Sequence, residues 1–133
     1  MQSRFSSLRL LVLVLLVAVS ASACGKYSIG NLRMLMAFKE GNAAYGKADF
    51  VTASKSYEEA VQHNPDFGIV YFFLANSYDN MYKPGRKGEP DNDVNLTKAV
   101  ENYNKAITII KDDEPSGAQI RKLSYEYLIA AYG

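Results

Sequence analysis

The stretch MLMAFKEGNAAYGKADFVTASKSYEEAVQHNPDF, Met34 to Phe67, decides how this chain is read. It falls into two helical halves around Gly46 and Asp49, with Leu35, Phe38, Gly41 and Ala44 on facing turns of the first. A first helix is expected over Leu32–Tyr45. A second runs from Asp49, a fair N-cap, to His63, and Asn64-Pro65-Asp66 closes the unit. Small residues at Gly41, Ala53 and Ala60 let two antiparallel helices approach closely, and Tyr45, Phe50 and Tyr57 fill the space between them. Pro65 stops the second helix.

The segment is 34 residues long, and Gly41, Ala53, Tyr57, Ala60 and Pro65 stand at its small and large positions. In both respects it resembles a tetratricopeptide repeat. Ala37 stands where that family usually carries Trp or another large residue.

A second copy follows directly. A shift of 34 residues pairs Leu35 with Ile69, Phe38 with Phe72, Gly41 with Ala75 and Asn42 with Asn76. Beyond Met81 the shift becomes 46, pairing Phe50 with Leu96, Ala53 with Ala99, Tyr57 with Tyr103 and Ala60 with Ala106. The twelve extra residues are Tyr82–Asp93, YKPGRKGEPDND, whose two prolines and two glycines predict a break before a long helix from Val94 to Ile110. Two readings of this insertion stand side by side: a binding-face loop, or a tolerated surface loop. After a linker at 111–117, a last helix over Ala118–Tyr132 matches Tyr71, Leu74 and Tyr78 with Tyr125, Leu128 and Tyr132 at an offset of 54.

The resemblance implies an all-α fold, a tetratricopeptide-type α-solenoid of antiparallel helix pairs stacked right-handedly over about two and a half repeats. The domain is expected over 32–133, with repeats near 34–67, 68–111 (insertion at 82–93) and a partial third at 118–133. Arrays of this kind need about three repeats and a polar capping helix. The last helix is therefore expected to expose an apolar flank drawn from Leu123, Leu128 and Ile129, and the chain is read as a piece of a longer protein.

The first 23 residues read as a secretory signal peptide. MQSRFSSLR is basic, Leu10–Val19 is an apolar core, and Ser20-Ala21-Ser22-Ala23 is small. The apolar run falls short of the ~20 residues that span a bilayer. Ala21-x-Ala23 suits an ordinary signal peptidase, while small residues before a cysteine resemble the bacterial lipobox. Cys24 is the single cysteine, so no internal disulfide forms, and acylation there explains a lone exported thiol. Residues 24–31 are read as lipidated cysteine and tether. Gly25 rather than Asp after the cysteine resembles lipoproteins sent on to the outer membrane.

Composition bounds the rest. The chain has 133 residues, 48% of them hydrophobic and 22% charged, which is a globular balance. Formal net charge is +1, and setting aside Arg4 and Arg9 of the leader leaves 13 basic against 14 acidic residues. Nothing in that balance suggests nucleic acid, which would need a basic stripe. His63 is the only histidine, so any Ser/His/Asp triad or histidine metal cluster would have to use it. Its place near a helix C-terminus fits a favourable interaction with the dipole.

Asp91, Asp93 and Asn95 alternate as a calcium loop begins. Leu96 and Asn102 then occupy the places needing Gly and Glu, so a helix N-cap cluster is the better reading. No catalytic site, metal site or cofactor is expected.

What remains is a surface. In the family, ligand peptides lie in the groove lined by the first helix of each repeat. Carried onto this sequence, that groove is Phe38, Asn42 and Tyr45, joined by Phe72, Asn76, Asp79 and Asn80. Paired asparagines could hydrogen-bond an extended backbone, with the two phenylalanines either giving apolar contact or packing as core. The lysine of the carboxylate clamp is absent: Phe38 and Phe72 hold its place. The sequence thus points to an exported scaffold, lipid-anchored and facing the bacterial periplasm from the outer membrane, that binds a protein or peptide partner. Two alternatives stand beside it: the N-terminal repeat region of a longer envelope enzyme or sensor, and a soluble secreted adaptor.

Overall fold

Five helices form by packing on their sequence neighbours, and the computed structural model describes them over residues 29–111 and 116–132. The expectations for the leader, for Cys24 and for the linker residues 112–115 lie outside the described residues. The helices are α1 (Ile29–Tyr45), α2 (Phe50–His63), α3 (Gly68–Met81), α4 (Pro90–Ile109) and α5 (Gly117–Tyr132). No strand occurs among the described residues.

The α1–α2 pair is antiparallel by its own contacts. Asn64 Nδ2 donates to Asn31 Oδ1 at 2.9 Å, Phe38 meets Tyr57, and Tyr45 meets Phe50, so one helix runs back along the other. Asp49 starts α2 as its type requires, Oδ1 accepting the Thr52 N–H at 3.1 Å. Gly41 lets the two helices close: a Cβ there would stand 2.5 Å from Cε1 of Tyr57. Helix α1 begins at Ile29, before the expected Leu32, and the Asn31–Asn64 bond ties that extra turn to the C-cap of α2.

Helices α3 and α4 repeat this arrangement, with Phe72 against Tyr103 and Lys83 against Asn92. The shift of 46 carries burial with it. Ala53, Tyr57 and Ala60 are sealed in the first pair, and Ala99, Tyr103 and Ala106 are sealed in the second. Between the pairs, the Tyr78 hydroxyl donates to Glu58 while Lys98 Nζ donates to that hydroxyl at 2.9 Å, joining α2, α3 and α4. Helix α5 packs back on α4, its Arg121 reaching the Ile110 carbonyl and its Tyr127 ring stacked on Tyr103 at 5.3 Å. Gly117 makes that turn possible, because a Cβ would run into the Lys111 carbonyl.

The insertion is shorter and more ordered than its composition suggested. Pro84–Arg86 forms a 3-10 turn, and α4 starts at Pro90, four residues before the expected Val94. A proline at the first helical position gives up no intrahelical bond, so Pro90 opens the helix instead of breaking it. Buried Asn92 pins the turn: its Nδ2 donates to the carbonyls of Lys83 and Arg86, both at 3.1 Å, and its Oδ1 accepts the Lys83 N–H at 2.8 Å. Asp91 and Asp93 sit in the first turn of α4, after the cap rather than at it, where negative charge favours the helix dipole.

The outer flank of α5 is apolar as expected, with different members. Leu128 is buried and Leu123 half-buried, while Ile129, Tyr125 and Tyr132 are exposed. No described helix is long and apolar enough to cross a membrane.

Candidate functional site

The seven residues expected to line a groove sort into core and surface. Phe38 packs on Tyr57, Phe67 and Phe73, with ring centroids 5.8, 6.0 and 5.8 Å away. Phe72 is buried against Phe73, Tyr103 and Tyr127. Of the two roles open to these phenylalanines, packing is the one observed.

The asparagines divide in the same way. Asn76 is only 6% exposed, and its amide donates to the Phe72 carbonyl of its own helix at 3.0 Å. That bond satisfies one of its two N–H donors within the helix, and burial keeps the side chain from a ligand. Asn42 and Asn80 are exposed. Asn42 Oδ1 accepts from the Tyr57 hydroxyl at 2.7 Å, leaving its NH2 unbonded. Asn80 donates to the Asn76 carbonyl at 2.8 Å, leaving its Oδ1 unbonded. The exposed pair is therefore Asn42 and Asn80, not the expected Asn42 and Asn76.

Tyr45 and Asp79 converge with residues that the groove assignment omitted. Tyr45 lies edge-on to Phe50 and Phe73, and burial pushes its hydroxyl above the ordinary value, with Tyr127 and Asp79 adding to the rise and Asn80 opposing it. Burial also raises the Asp79 carboxyl, against the opposing effect of the Tyr103 hydroxyl. Tyr103 is 1% exposed, and its hydroxyl is pushed far up by burial first and by the nearby Asp79 charge second. The two groups stand side by side outside hydrogen-bonding geometry, so among the described residues the buried Tyr103 oxygen has no hydrogen-bond partner. Among the described residues no cation lies within ion-pair distance of Asp79.

Asp79 opens into a cavity of about 320 Å³. It is lined further by Tyr82, Pro84 and Lys87 of the insertion, Leu96 of α4, and Tyr127, Ala130 and Ala131 of α5. The insertion thus lines a concavity shared with the end of α3. Tyr103 had a signal in the sequence, its equivalence to Tyr57, but that equivalence gave no hint of a carboxylate beside it.

A second concavity of about 400 Å³ lies between α1 and α2, over Ala37, with Arg33, Glu40, Glu59 and His63 around it. His63 Nε2 stands 3.7 Å from Glu59 there. No three potential metal ligands gather among the described residues. Comparison with protein-family models, with curated proteins and with solved structures gave no match.

Proposed function

We propose that this chain is a tetratricopeptide-type interaction module, exported and held by a lipidated Cys24 at the periplasmic side of a bacterial envelope. Its groove along α1, α3 and α5 holds an extended segment of a protein partner. The observation that carries the reading is the repeated burial of Ala53, Tyr57, Ala60 and of Ala99, Tyr103, Ala106 in two successive helix pairs. With it goes an exposed amide on the first helix of each pair, Asn42 and Asn80. Stacked pairs of this kind present their first helices along one continuous face. Asn42 offers a free donor and Asn80 a free acceptor, the complement of a peptide backbone.

The Ala37 concavity departs from the family, since a large side chain usually fills that place. Arg33, Glu40, Glu59 and His63 surround it with mixed charge, beside an apolar part made by Met36 and Ala37.

Titration of a captured partner peptide tests the groove. Asn80→Ala should weaken binding about fivefold, the loss of one net hydrogen bond. Unchanged affinity in Asn80→Ala together with an Asn42 variant would remove the groove. The anchor is tested separately: a bacterium expressing the full chain should incorporate labelled fatty acid into it, and Cys24→Ala should not. A free Cys24 thiol in the exported protein would contradict the anchor and leave a soluble adaptor.

A further inference from the structure

The cavity beside Asp79 has a composition that peptide-backbone binding does not require. It holds a half-buried carboxylate with no cation within ion-pair distance among the described residues. Next to that carboxylate is the Tyr103 hydroxyl, 1% exposed and without a hydrogen-bond partner among the described residues. The aromatic walls are Tyr82 and Tyr127, and the remainder is Leu96 and alanine. A carboxylate held partly away from water without a counter-charge is costly, and the structure offers it none. A ring face attracts a cation placed within about 6 Å of its centre. Small apolar residues suit the methylene stem that leads to a charged tip.

We infer that this cavity binds a primary ammonium group, the lysine side chain of a bound peptide, with Asp79 as counter-ion and Tyr82 and Tyr127 as aromatic walls. The Tyr103 hydroxyl lies beside the carboxylate that the ammonium engages. A volume of about 320 Å³ is ample for one lysine side chain. Lys87 on the exposed insertion is the cation among the residues that line the cavity, and it competes at the rim with an arriving ammonium. The inference rests on the groove reading only for the source of the amine. The ammonium site itself stands on the cavity.

The experiment is a titration of the 15N-labelled protein with Nα-acetyl-lysine N-methylamide, followed by amide chemical shifts, against the same probe acetylated on Nε. The free amine should shift Asp79, Tyr82, Tyr127 and Ala130 saturably at millimolar concentration. Acetylation should weaken it at least tenfold, since it removes the charge and keeps the stem. Asp79→Asn should give the same loss with its thermal transition intact, and Lys87→Ala should bind the free amine equally well or more tightly. Equal shifts from both probes would overturn the inference, as would full affinity in Asp79→Asn. A partner peptide that shifts Asn42 and Asn80 while the free amine leaves Asp79 and Tyr127 unmoved would keep the groove and remove the ammonium site. Amine binding without any peptide response at Asn42 would do the reverse.

Discussion

The backbone of Gly41 lies against the ring of Tyr57 so closely that a Cβ would stand 2.5 Å from Cε1 and 2.6 Å from Cδ1. Tyr57 is fully buried and its hydroxyl is bonded to Asn42, so the ring has little room to yield. Gly41→Ala is therefore expected to destabilise the protein by ~1–3 kcal/mol, the usual cost of overpacking. Gly46 is the control, because a Cβ there meets only the Asn42 and Ala43 carbonyl oxygens at 3.4 and 3.9 Å. Chemical denaturation of the two variants should separate them clearly, and equal stability would mean that α1 and α2 are not held this close.

Asn92 does for the insertion what a hydrophobic core does elsewhere. Replacing it with Ala leaves the Lys83 and Arg86 carbonyls without their side-chain donor and the Lys83 N–H without its acceptor. Lys83 and Arg86 are themselves exposed, so water takes over part of the loss and the cost is about 1 kcal/mol. We expect Asn92→Ala to release residues 82–89, seen as faster amide exchange there, with α1 and α2 unaffected. A loop that is merely tolerated would show no change.

Much of this architecture was legible in the sequence, and the reasons are physical. Alanines at Ala53, Ala60, Ala99 and Ala106 mark the closest helix approaches, and all four are sealed. The Asp49 cap was readable because side-chain capping is a local bond.

Pro90 was misread because a proline breaks a helix or opens one depending on what precedes it. Phe73 escaped notice beside Phe72: neighbouring helical positions differ by ~100°, and only packing decides which of two adjacent rings turns inward. Here both do, Phe73 meeting Phe38, Tyr45 and Tyr57. Asn76 was assigned to the surface from the family's groove, helical spacing and its pairing with Asn42, whereas a buried asparagine satisfied within its own helix looks the same in sequence. The Asp79–Tyr103 juxtaposition joins two helices across 24 positions and had no local signature.

Asp79 makes a pH-dependent contribution whose sign follows from its burial. Its carboxyl is raised above 3.8, so between the ordinary and raised values the folded state keeps a proton that the unfolded state has released. Stability therefore falls as pH rises through that window and levels off above it. Asp79→Asn removes the dependence. Thermal unfolding should show the variant gaining on the parent between pH 3 and pH 7, and a difference that stays constant with pH would contradict the burial of the carboxylate.

Asp49 has the opposite sign. The Thr52 hydrogen bonds, side-chain and backbone, hold its carboxyl below 3.8. Its stabilisation is present above the ordinary value and is lost as pH falls through the lowered one. Asp49→Ala should lower Tm at pH 7 and approach the parent in acid. Asp49→Asn, which still caps, should keep most of the stability at both ends.

Binding and folding must be kept apart at Asn42. Its oxygen holds the buried Tyr57 hydroxyl, so Asn42→Ala costs stability as well as any contact to a partner. Asn42→Asp keeps that acceptor and replaces the NH2 with a second carboxylate oxygen. We expect it to weaken a bound peptide about fivefold, with a further fivefold from Asn80→Ala if the two contacts add. Circular dichroism of each variant checks that the helices are retained.

The groove itself is tested most directly by site-specific photo-crosslinking in the living bacterium. A benzophenone side chain replaces Asn42 or Asn80, and Gln62 or Thr108 serves as the exposed control on a second helix of each pair. Adducts are identified by mass spectrometry to the crosslinked peptide. We expect positions 42 and 80 to capture the same segment of one partner, with 62 and 108 capturing none of it. Capture of that segment equally from 62 and 108, or of unrelated proteins from 42 and 80, would contradict the groove.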